Sequence, residues 1–200
     1  MAESSRERPA ALGLRVKTAR ATAVLLSGSA KAPHVLARRA VQLWDPKVPA
    51  SKQPYHEGLE LPQGENAPIV RRGCEAAGRV ALSVMRELLE ELRQEGLAPR
   101  GVGLVVSSDS EPEKLKNAHV RAHAFEGRLF REILESAAAA CGLPCLVVLE
   151  AGAYDRAAAA LGQSPVELKR AINALGADVG KPWGAEEKTA TLAAWLALRR

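Results

Sequence analysis

Val102-Gly103-Leu104-Val105-Val106-Ser107 is a continuous apolar run, too short for a helix, and it reads as a strand covered on both faces. A strand buried on both faces needs helices on either side, and the flanking sequence supplies them. Upstream, Ala77, Val80, Ala81, Val84, Leu88 and Leu92 recur at helical spacing from Asn66, a good N-cap, to a stop at Gly96. Downstream, a helix predicted over 117–140 carries Ala122, Phe125, Leu129, Ile133 and Ala137 on one stripe and ends at Cys141-Gly142 ahead of Pro144. Cys145 to Leu149 is then a second buried strand, terminated by Glu150. Two strands joined through a helix form a parallel pair with a crossover.

The chain before this unit has a different texture. Leu12, Leu14 and Val16 alternate with Gly13, Arg15 and Lys17, the period-two pattern of a half-buried strand. Further apolar runs at 22–26 and 34–44 end at Ser27-Gly28-Ser29 and Asp45-Pro46, so three short strands form an antiparallel meander. Residues 1–10 read as a disordered polar tail. A long loop is expected over 45–66, with Pro46, Pro49, Pro54 and Pro62 in a polar setting and Tyr55 and His56 at its tip. Beyond Glu150, residues 153–161 look helical. Ser164-Pro165-Val166-Glu167 combines a capping box with proline at the first helical position, and 186–198 is an Ala/Leu-rich closing helix. The sum is a single α/β domain over 11–200: a mixed five-stranded sheet, an antiparallel three-strand meander plus two parallel strands, flanked by helices.

Composition narrows the function classes. At 200 residues, 47% hydrophobic and 26% charged, the chain can bury a sizeable core, and its seven aromatic side chains are too few for base-stacking platforms. Three cysteines make no disulfide framework, and neither a secretory leader nor a membrane span is legible, so a cytoplasmic, bacterial-type setting is expected. The net charge of +5 is N-terminal: residues 1–57 hold ten Lys/Arg against four Asp/Glu, leaving eighteen against nineteen in the rest. Arg15, Lys17, Arg20, Arg38 and Arg39 are the candidate phosphate contacts, although cations on edge strands also serve to block unwanted pairing.

His119 and His123 are four apart and share a helix face, with Glu126 one turn further along that side. That spacing suits zinc or another transition metal, though the glutamate that follows the first histidine in zinc-protease motifs is missing, and histidines that cap the sheet's carboxyl edge by hydrogen bonds are the structural alternative. Asp109 or Glu150, at neighbouring strand ends, would complete such a site. Asp109, Asn117, His119, His123 and Glu150 together are the candidate ligand-binding set, because ligands of α/β sheets meet the carboxyl ends of strands. No phosphate-binding glycine loop occurs, since Gly101-Val102-Gly103 precedes its strand.

This order of elements resembles the ribonuclease H-like superfamily, and within it the RuvC-type Holliday-junction resolvases. The resemblance covers most of residues 12–198. It is best from Ala118 onward: the helix ending at Cys141-Gly142, the strand from Cys145, the short helix at Tyr154, Ser164-Pro165-Val166-Glu167-Leu168-Lys169-Arg170, and Ala190-Thr191-Leu192-Ala193-Ala194. The resemblance implies carboxylates in the middle of the first strand, at the end of the fourth and at the start of the last helix. There they would clamp two divalent cations, Mg²⁺ or Mn²⁺, roughly 3.5–4 Å apart. Here the first-strand place falls at Arg15, the fourth-strand place among Ser107, Ser108 and Asp109, and the last-helix place near Ala190, one turn beyond Glu186 and Glu187.

A cation cannot ligate a cation, and Arg15 and Lys17 would repel the ions. The sequence therefore predicts a non-catalytic ribonuclease H-like binding or scaffold domain with no required cofactor. Two alternatives stay open: a metal-dependent nuclease with relocated acids Asp109, Glu150 and Glu187, and a nucleic-acid binder that does not cleave. A homodimer is compatible with all three.

Overall fold

A computed structural model describes residues 8–59, 66–177 and 179–199. Strands β1 (Arg8–Lys17), β2 (Arg20–Ser29) and β3 (Ala32–Gln42) form the antiparallel meander, and β4 (Leu97–Val106) and β5 (Cys145–Leu149) add in parallel beyond β1. The sheet order is β3-β2-β1-β4-β5. Its helices are α1 (Pro54–Leu59), α2 (Asn66–Gln94), α3 (Ala118–Ala140), α4 (Ala153–Leu161), α5 (Pro165–Leu175) and α6 (Ala185–Leu198).

This order puts β1 in the centre, and that corrects one expectation from its alternating pattern. Every residue from Ala10 to Val16 is buried, so β1 is covered on both faces, not one. Leu12, Leu14 and Val16 enter a core with Met85, Leu89 and Leu92 of α2 and Phe130 and Leu134 of α3. Ala11 lies in the opposite core with α4, α5 and α6, and Gly13 and Arg15 share its face by the strand's period of two. On that side, a Cβ on Gly13 would lie 1.9 Å from the Ala190 carbonyl oxygen, and one on Gly103 would lie 2.2 Å from that of Ala193. The missing side chains let α6 lie directly on the sheet backbone. Within α6, the buried hydroxyls of Thr189 and Thr191 donate to the carbonyls of Ala185 (2.9 Å) and Glu187 (2.8 Å), which satisfies them inside an apolar layer.

Two boundaries also move. Residues 8–10, read as tail, are strand; residues 1–7 lie outside the described set. The segment expected as a proline-rich loop over 45–66 contains a 3-10 turn at Pro49–Ser51 and α1, with 60–65 outside the described residues. Pro49 and Pro54 stand at the first position of these turns, where a missing N–H costs nothing, so here proline starts helices. No helix among the described residues is long and apolar enough to cross a membrane.

Candidate functional site

At the carboxyl end of β1, Arg15 is only 4% exposed. Its Nη1 donates to the carbonyls of Val16 (2.8 Å) and Val105 (3.4 Å), and its Nη2 to Ser107 Oγ (3.0 Å) and to the Glu150 carboxylate (2.5 Å). Glu150, just past β5, has a side chain 43% exposed. A buried cation must be paired and hydrogen-bonded to be tolerated, and here two strand ends supply the partners.

A second ion cluster closes the neighbouring edge. Glu186, in the first turn of α6, accepts from both terminal nitrogens of Arg20 (2.8 and 3.0 Å), from Lys17 Nζ (2.6 Å) and from Thr22 Oγ1 (2.8 Å). The guanidinium of Arg20, followed by Lys17, holds this carboxyl far below the ordinary carboxylate range. Glu187 caps α6, its Oε2 accepting from the Gly184 N–H at 2.8 Å. Asp109 is exposed in the segment after β4. The three acids expected for relocated catalysis thus stand apart in role: Asp109 in a cleft wall, Glu150 on Arg15, Glu187 at a helix cap.

That cleft, of about 660 Å³, opens between the ends of β1 and β4 and the flank of α3, lined by Lys17, Arg20, Ser108, Asp109, His123 and Arg128 among others. Asp109 and His123 both line it. Asn117 does not contribute its side chain, because its Oδ1 accepts from Val120 N–H (3.0 Å) and caps α3. The remaining candidate phosphate contacts are engaged too: Arg38 donates to the Lys181 carbonyl, and Arg39 pairs with Glu91.

The residue that sequence reasoning placed only at a loop tip is His56. Tyr55 of α1 stacks on Phe125 of α3 (centroids 4.8 Å apart, planes 18° apart), and burial pushes its phenol up to about 12 beside Cys74. This docking sets His56 Nδ1 2.8 Å from Oε1 of Glu126, a wholly buried carboxylate that also accepts from the His56 backbone N–H at 3.3 Å. The His56 ring centroid lies 4.8 Å from that of His119 and 4.3 Å from that of His123. Among the described residues, His56, His119 and His123 are the one group of three or more histidines, cysteines or acids whose ligand atoms gather, all within 4.8 Å. Neither Asp109 nor Glu150 belongs to it. The available signal was Pro54 opening a turn beside Tyr55-His56, together with Glu126 on the histidine side of α3.

A meander followed by two helical crossovers, with α6 laid across the central strands, is the ribonuclease H-like fold. Thermus thermophilus RuvC, solved alone and in complex with a Holliday junction substrate, is similar to this chain in structure: TM-score 0.55 for both, 12% identity, covering 94% of this chain and 92% and 91% of those chains. The yeast mitochondrial Holliday junction resolvase Ydc2 matches with TM-score 0.46 and 11% identity over 94% of this chain and 77% of its own. No family model and no curated protein matches the sequence.

Proposed function

We propose that this chain is a non-catalytic ribonuclease H-like binding domain whose ligand meets the cleft at the carboxyl ends of β1 and β4. One observation carries the reading: a buried guanidinium, Arg15, fills the centre of the sheet and takes Glu150 as its partner. Two-ion phosphodiester chemistry needs oxygen anions there to bind the metals and activate water. A fixed positive charge repels Mg²⁺ and Mn²⁺, and Glu150 and Glu186 are already paired, with Arg15 and with Arg20 and Lys17 respectively. The purified chain, incubated with branched and hybrid nucleic acids and either ion, is expected to cut none of them. Cleavage that disappears in Asp109→Ala or Glu187→Ala would refute the proposal.

The cations around the cleft and the junction-bound RuvC favour nucleic acid as the ligand class. Lys17 and Arg20 are held by Glu186, so phosphate binding is self-limited in the resting chain. Glu186→Gln is expected to strengthen binding to a labelled four-way junction, with an affinity that falls as salt rises. Binding that ignores both salt and this substitution would point to a protein ligand.

A further inference from the structure

We propose that His56, His119 and His123 form a binding site for a transition-metal dication of the zinc type, with Glu126 as the carboxylate behind the rings and one coordination position open to the cleft. This site does not rest on the absence of nuclease chemistry, since it lies between α1 and α3 and shares no residue with the Arg15 pair.

The first argument is the nitrogen that is left over. His56 Nδ1 faces Glu126 Oε1 at 2.8 Å, so Nδ1 carries the proton and the other ring nitrogen, Nε2, is directed elsewhere. That Nε2 is buried and has no hydrogen-bond partner among the described residues. A buried imidazole nitrogen without a partner is costly as it stands. A carboxylate on Nδ1 with a free lone pair on Nε2 is the arrangement by which proteins orient a metal-ligating histidine and raise its basicity.

The second argument is the approach of the other two rings. His119 Nε2 and His123 Nε2 are 3.2 Å apart, although both are exposed and could swing away into water. Two nitrogens bound at 2.0–2.1 Å to one tetrahedral ion stand about 3.3 Å from each other. The helix thus presents an i,i+4 pair at ligand spacing, and α1 brings the third imidazole over it from outside the helix.

The third argument concerns Glu126. Its second oxygen, Oε2, also lacks a hydrogen-bond partner among the described residues and lies 4.0 Å from His123 Nδ1, too far for a hydrogen bond but facing it. A buried carboxylate placed behind two of three rings fixes the His56 tautomer and supplies the anion that a dication in a half-buried site requires. Three neutral imidazoles suit zinc, copper and nickel better than Mg²⁺ or Ca²⁺. With His123 on the cleft wall, a fourth position would be open to water or to a ligand in the cleft, as in zinc sites that hold three protein ligands.

The test uses the untagged full chain, stripped with a chelator and titrated with Zn²⁺ against a chromophoric competitor, with Co²⁺ as a spectroscopic probe. One zinc per chain and the visible spectrum of tetrahedral cobalt are expected. Glu126→Gln should weaken zinc by roughly 10- to 100-fold, and His119→Gln or His123→Gln by more than that. The two histidines are exposed, so these variants test the site without endangering the core. Wild-type protein that stays metal-free in excess zinc, or a His119→Gln/His123→Gln variant that holds zinc as tightly as wild type, would overturn the proposal.

Discussion

Two polar clusters stand near the strand ends, one around Arg15 and one around His56, and they resolve the burial of a nitrogen-bearing side chain differently. Around Arg15, donors find acceptors: two carbonyls, a hydroxyl and a carboxylate meet the guanidinium. Around His56, the carboxylate satisfies one ring nitrogen and leaves the other bare, while two more imidazoles converge from α3. The first cluster is complete in itself, and in the proposed reading its fixed positive charge disfavours metal ions in the sheet centre. The second leaves a buried ring nitrogen without a partner among the described residues. A cluster of polar side chains therefore signals a binding site less by its size than by the valence it leaves unfilled.

The largest effect expected from this contrast is an inversion of intuition at the ion pair. Glu150→Ala removes the more exposed partner yet strands a buried cation, and should cost about 3 kcal/mol. Arg15→Met removes the buried partner, fills most of its volume and frees Glu150 to face water, and should cost about 1 kcal/mol. Urea unfolding of the two variants measures the difference; equal costs would mean that the pair is not buried in the sense described. Next in size, zinc at about a hundred times its dissociation constant should stabilise the wild type by about 2.7 kcal/mol and leave the His119→Gln/His123→Gln variant unmoved, read as a shift in the urea midpoint.

The smallest effect belongs to Glu186. Its carboxyl is held low by Arg20, Lys17 and Thr22, so its contribution to stability is complete above the ordinary value of 4.5 and is lost as pH falls toward the depressed folded value. Wild type should exceed Glu186→Gln by less than about 1 kcal/mol at neutral pH, because the cluster is partly solvated, and the gap should close in acid. A gap that widens on acidification would contradict the assigned charge state.

Much of this architecture is legible in residue patterns. The apolar run of β4, the helix start near Asn117 and the Ser164 to Glu167 capping box each encode a local decision that the tertiary structure keeps. The burial of β1 is not local: alternation reports one covered face, and only the sheet order reveals that Gly13 and Arg15 are covered by the other layer. In α3 the predicted stripe is buried at Ala122, Leu129 and Ala137 and half-buried at Phe125 and Ile133, and the adjacent Phe130 and Leu134 go deepest, because α1 and α2 take one side of the helix and the sheet the other. Glu126 was hardest to foresee. A glutamate on a helix reads as a solvent-facing residue, and its full burial depends on His56 arriving from a segment with no apolar periodicity of its own.

That segment's brevity matters. At six residues, α1 is far below the roughly 12–15 at which an isolated helix becomes marginal in water, so it keeps its shape only while docked. It is held by the Tyr55–Phe125 stack, by the His56–Glu126 contact and by the packing of the buried Pro54 and Gly58 beside α2. Whatever holds the imidazole also tethers α1, so an event at a single ring nitrogen bears on whether that helix keeps its shape.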